Sequence, residues 1–129
     1  MVKWINYIPL KDSLDNFEKT FNVNLPNDLK DIINKFNKGL PVPNKFILAD
    51  GTKVEFGQML SFNRNEVFSV YNSFMDEMKE RSLIPFAMTK NSSFICLKNN
   101  QVVLYNSQYD SEKEVCSSVS ELLNMLQED

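Results

Sequence analysis

Apolar residues recur along this chain at two spacings, one helical and one strand-like. Leu14, Phe17 and Phe21 share a face of a helix expected over residues 13–21. Asp12 or Ser13 can accept a hydrogen bond from a free backbone N–H at its start. Leu29, Ile32, Ile33 and Phe36 then fall at i, i+3, i+4 and i+7, a second helical stripe. Leu25 precedes Pro26, which suits the first helical turn because its missing N–H costs nothing there. Asp28 places a negative charge at the positive end of the helix dipole. Gly39 is expected to close this helix in the left-handed conformation, and Pro41 and Pro43 forbid its continuation.

The spacing then shortens. Phe46 to Ala49 is an apolar run, and Val54 and Phe56 alternate with polar neighbours. Asp50–Gly51 between them predicts a tight hairpin turn, because both residues tolerate positive φ. Residues 63–81 return to the helical period. Val67, Val70, Tyr71, Phe74 and Met78 predict the buried face of the longest helix, capped by Asn63 or Asn65. Its C-terminal half, from Asp76 to Arg81, reads as solvent-facing. Three strands follow: Ile84 to Met88, bent by Pro85; Phe94 to Leu97; and Val102 to Tyr105, after a turn at residues 98–100. Ser118 and Glu121 form a capping box for a final helix whose face is Val119, Leu122, Leu123 and Leu126. Hairpins dominate and strict strand–helix alternation is absent. The pattern predicts an α+β fold: one domain over residues 1–129, with a mostly antiparallel sheet of about five strands and helices packed around it.

Composition leaves that picture intact. Of 129 residues, 43% are hydrophobic and 24% charged, enough apolar material for one core. Charge adds an asymmetry. The net charge is −3, yet residues 1–109 carry 13 Lys/Arg against 11 Asp/Glu, and residues 110–129 carry one Lys against six Asp/Glu. Nucleic-acid binders show a basic stripe instead, so no direct nucleic-acid contact is expected. No window approaches the apolar length of a membrane span, and the N-terminus lacks a signal peptide's apolar stretch. The two cysteines, Cys96 and Cys116, have no zinc or redox spacing, and Cys96 lies in the apolar run FICL. A cytoplasmic protein with reduced thiols is expected.

Catalytic chemistry is sparse. The chain has no histidine, which removes the commonest general base and the imidazole ligand of zinc sites. Its three glycines form no phosphate-cradling loop. Asp110, Glu112 and Glu114 stand at alternate positions in DSEKE. A hard cation favours such oxygens, but the glycine-centred calcium loop is missing. The segment reads as an exposed loop ahead of the last helix. Asp76, Glu77 and Glu80 form a second acidic group, and paired carboxylates can hydrolyse glycosides. Acids one helical turn apart in a charged segment read instead as solvent-facing. No enzyme, metal or cofactor is expected.

Three stretches together resemble the SUKH superfamily, across nearly the whole chain. The first is Leu25–Pro26, the stripe from Leu29 to Phe36, and the ending Asn37–Lys38–Gly39 with Pro41, similar to the family's LP, amphipathic helix and N-G-G ending before proline. The second is LIPFAMTKNSSFICL, in which Ala87, Ile95 and Cys96 fit the family's strand pair. The third is VVLYNSQYDSEKEVCSSVSELLNML, with Ser118 opening the closing helix. There are departures: Asn91 or Ser92 stands where a turn usually has Gly, NSQYD replaces an often histidine-bearing segment, and Val119 replaces the common Phe. The resemblance implies a bacterial immunity protein that occludes a cognate toxin, a nuclease type with a basic active site, without turnover. Asp110, Glu112 and Glu114 are the candidate toxin-binding residues. The alternative it leaves open is a non-catalytic regulatory or scaffold module. Leu25, Pro26, Gly39, Pro41, Ala87, Cys96 and Ser118 are expected to serve the fold.

Overall fold

A computed structural model describes residues 2–128, so Met1 and Asp129, the two ends of the expected 1–129 unit, lie outside the described residues. The elements run β1 (Lys3–Ile5), α1 (Leu14–Phe21), α2 (Asn27–Phe36), β2 (Leu40–Val42), β3 (Lys45–Ile47), β4 (Lys53–Met59), α3 (Val70–Ser73), α4 (Asp76–Glu80), β5 (Ile84–Thr89), β6 (Phe94–Lys98), β7 (Gln101–Asn106), β8 (Ser111–Cys116) and α5 (Val119–Met125). This is an α+β fold. Strands β3 to β8 form one antiparallel sheet in chain order, and β1 and β2 a separate antiparallel pair. The sheet curls: α5 touches both β8 and β3, and Lys45 of β3 bridges to Gln127 beyond α5. The core lies within the curl and beneath α1 and α2, built from Phe17, Leu29, Ile33, Phe46, Phe56, Phe62, Phe86, Ile95 and Tyr105, all almost fully buried.

Local chemistry explains the helix ends. Ser13 rather than Asp12 caps α1, its Oγ accepting from the Asp15 and Asn16 N–H groups. The stripe of α2 is buried at Leu29, Ile32 and Ile33. Phe36 packs between the Trp4 ring, stacked at 5.7 Å, and the Tyr7 ring, edge-on at 5.1 Å. Pro26 is the residue before the helix, not its first turn; its carbonyl accepts from the Lys30 N–H. Gly39 does not take the left-handed conformation: Lys38 does, with φ 63°. Gly39 is needed for room, since a Cβ there would lie 2.8 Å from the Phe36 carbonyl oxygen and 3.1 Å from the Trp4 ring. The helix has ended at Phe36 before Pro41 is reached, and Pro41 itself sits in β2 opposite Trp4. At α5, Ser118 Oγ accepts from the Glu121 N–H, while the Glu121 carboxylate reaches back to the Ser117 N–H.

The five expected strands are β3 to β7. Of Asp50 and Gly51 only Gly51 has positive φ, at 89°. The β6–β7 turn places both Asn99 and Asn100 in that region, as a two-residue hairpin turn requires. Ser92, with φ 66°, fills the turn position where the resemblance expects glycine. The register irregularity in β5 falls between Pro85 and Ala87, at the predicted bend.

The expected long helix over 63–81 is a loop followed by two short helices, α3 and α4. Asn65 and Phe68 have φ of 59° and 60°, which an α-helix cannot contain. Ser69 rather than Asn63 or Asn65 caps α3, its Oγ accepting from the Tyr71 N–H. Val67 is 68% exposed instead of buried, whereas Val70, Phe74 and Met78 are in the core as their spacing predicts. A polar hub centred on Asn63 occupies the place of the missing helical turns. Asn63, 2% exposed, accepts at Oδ1 from the Lys11 and Asp12 N–H groups and donates from Nδ2 to the Pro9 carbonyl and Glu66. Its own carbonyl accepts from the Ser69 hydroxyl. Beside it, Asn37 accepts at Oδ1 from the Phe62 N–H and donates to Ser61. The Ser69 hydroxyl takes up the Asn63 carbonyl that a helix would pair within itself, while the Asn63 side chain ties this loop to the N-terminal segment.

Candidate protein-binding surface

The acidic segment DSEKE is not an exposed loop. Ser111–Cys116 is strand β8, paired with β7 so that Glu112 lies opposite Tyr105 and Glu114 opposite Val103. Period-two geometry puts Glu112 and Glu114 on one face of the sheet. Asp110, at φ 49°, closes the turn just before the strand.

Arg81, at the end of α4, joins the predicted acids. Its Nε donates to Asp110 Oδ1 at 2.9 Å and its Nη2 to the Asp110 carbonyl at 2.7 Å. Nη1 pairs with Glu112 Oε2. Lys98 Nζ reaches the other Glu112 oxygen at 2.9 Å. The buried Tyr105 hydroxyl donates to Asp110 Oδ1 at 2.8 Å, and the Arg81 guanidinium lies 5.6 Å from the Tyr105 ring centre. Three parts of the chain therefore converge: α4, the β6 end and the β7–β8 hairpin.

The electrostatics follow from these contacts. Hydrogen bonds from Arg81 and then Tyr105 hold the Asp110 carboxyl below the usual carboxylate range. Lys98, with Arg81, does the same for Glu112. Burial, reinforced by the hydrogen bond to Asp110, pushes the Tyr105 phenol up to about 12. Asp110 and Glu112 in turn hold Arg81 in its charged form. Two acids kept ionised by cations are poor proton donors, so this arrangement suits recognition better than general acid catalysis.

Glu114 differs from its neighbours. It is exposed, with no ion pair to a described residue, and it lines a groove of about 360 Å³ with Lys98, Gln101, Val103 and Glu112. Of the three predicted residues, the structure ties Asp110 and Glu112 into one network and leaves Glu114 open. Arg81, Lys98 and Tyr105 were missed as members of this surface. Arg81 had been read only as the wet end of a helix, and nothing in local sequence links it to Glu112. Among the described residues no group of three or more acids or cysteines is placed to hold a metal, and no helix is long and apolar enough to cross a membrane.

The residues expected to serve the fold stand in core, caps and turns. Leu25 is buried and its N–H donates to Glu18 Oε2, tying α1 to α2. Ala87 and Cys96 are fully buried on adjacent strands, and burial pushes the Cys96 thiol upward, leaving it inert as a nucleophile. The half-buried Cys116 thiol is pushed up to about 11 for the same reason. Asp28 on α2 accepts from both the N–H and the hydroxyl of Ser120, joining the second helix to the last.

Comparison with curated proteins and with solved structures returned no match. Comparison with protein families did: residues 9–125 match the SMI1 / KNR4 family (SUKH-1), and the chain belongs to that family.

Proposed function

We propose that this protein is an immunity protein that binds a cognate protein toxin and blocks it by covering its active site, without turnover. Family membership over residues 9–125 is the observation that carries this reading. Arg81 and Lys98 balance Asp110 and Glu112, so the support for the kind of toxin comes from the exposed Glu114 and the chain's net charge of −3. Asp110, Glu112 and Glu114 lie on or beside one strand, and the first two are held ionised. A nuclease active site is basic because it grips phosphates, so an acidic inhibitor surface speeds encounter and excludes neutral partners. A standard interface needs about 800 Å² per partner, well within reach of a domain of this size. The same reading places its action in the cytoplasm, against a toxin that would otherwise attack nucleic acid there.

Calorimetry tests it. The purified protein is titrated with the C-terminal domain of the toxin encoded beside its gene, at two salt concentrations. The expected result is a one-to-one complex that weakens with salt and abolishes the domain's nuclease activity. Absence of binding at low salt would overturn the reading. Binding without inhibition would favour a scaffold role.

A further inference from the structure

The two edges of the main sheet are treated differently. At β3, Lys45 and Gln127 exchange both backbone hydrogen bonds, so the chain beyond α5 closes part of that edge. At β8, among the described residues, only β7 pairs with the strand. Its outer row of N–H and C=O groups is a template for another strand. Ser111, Lys113 and Glu114 are exposed along it.

A second copy of this chain fits that edge badly. Two copies related by a two-fold axis share one sheet face, so residues of like parity oppose each other. The register that stays mostly ahead of the irregularity at Val115 is centred on Lys113, and the next fullest is centred on Glu114. The first sets Lys113 against Lys113 and Glu112 against Glu114. The second sets Glu114 against its own copy. Like charges directly opposite destabilise a strand pair, so the Glu–Lys–Glu alternation guards the edge against self-association. The same alternation welcomes a strand of complementary pattern. Glu112 is already held by Arg81 and Lys98, which leaves Glu114 as the acid with room for a new cation.

We infer that the open edge of β8 takes up an extended segment of the protein partner as an added strand, with a Lys or Arg of that segment opposite Glu114. Backbone hydrogen bonds then supply affinity and alternate side chains supply selectivity. The inference rests on the partner reading above and specifies how that partner is held.

Hydrogen exchange on the complex with the adjacent toxin domain tests it. Strand addition slows exchange at alternate amides of residues 111–114, those that point outward from β7, ahead of the register shift that leaves Val115 extra. Glu114→Lys, at an exposed position with no ion pair to a described residue, is expected to fold normally and to weaken binding about tenfold at low salt. If a complex forms and the β8 amides exchange as in the free protein, the added strand is overturned and the toxin-binding reading survives. If no complex forms, both fall. Sedimentation of the free protein as a dimer with protected β8 amides would also overturn the inference.

Discussion

Asn63 and Arg81 are each the centre of a polar network, and the two networks are built on opposite principles. Asn63 is buried, neutral and saturated, with partners at Lys11, Asp12, Pro9, Glu66 and Ser69 drawn from the N-terminal segment and its own loop. Arg81 is one-third exposed and charged, and its partners Asp110 and Glu112 face water on one side. A buried neutral amide stabilises a fold because each donor it abandoned would stay unpaired. A half-exposed ion pair contributes little to stability, since solvent competes for both partners. It leaves oriented charge at the surface, where a binding partner can use it. The comparison separates a polar cluster that holds the molecule together from one that it presents.

The sharpest way to break the comparison is Asn63→Ala. Removing the amide strands the Lys11 and Asp12 N–H groups and the Pro9 carbonyl at one stroke, and a loss of about 3 kcal/mol is expected from urea unfolding. Arg81→Ala comes next. A much smaller loss is expected, one that disappears as salt rises, because screening already weakens the wild-type pair.

Acid titration sharpens the same contrast. Asp110 and Glu112 have folded pKa values below their unfolded ones. Their contribution is therefore complete above the ordinary carboxylate range and is lost as pH falls through the depressed folded values. Thermal melting from neutral to acid pH should show that loss, and in Arg81→Ala the slope should flatten because the main cause of the Asp110 shift is gone. The smallest effect is expected for Glu114→Gln. With no ion pair to a described residue, it should leave the unfolding midpoint unchanged while weakening the toxin-domain complex at low salt.

Legibility followed the range of the forces involved. The stripe of α2, the capping pair Ser118 and Glu121, and the strands β3 to β7 were readable because period, caps and turns act within a few residues. Strand β8 was not, because its residues alternate charge with charge and an edge strand has too little burial to show an apolar period. Three-residue strands such as β1 and β2 are too short to carry a pattern at all. The loop at 63–69 was misread for a different reason. Val67 happens to fall in phase with Val70, Tyr71, Phe74 and Met78, while the contacts that hold this loop reach back to Pro9, Lys11 and Asp12. Within the candidate surface, the acids were visible as composition, but Arg81 and Lys98 were not visible as their partners.

By itself the sequence determined the α+β class, the helix faces, most turns and the acidic character of the C-terminal stretch, because each depends on neighbours along the chain. Only the tertiary structure decided that Gly39 serves the Trp4 ring rather than a left-handed turn, that Asn63 ties a loop to the N-terminal segment rather than opening a helix, and that Arg81 and Lys98 hold the β8 acids ionised. Those outcomes depend on groups brought together from distant parts of the chain, and such contacts leave no periodic trace in either segment.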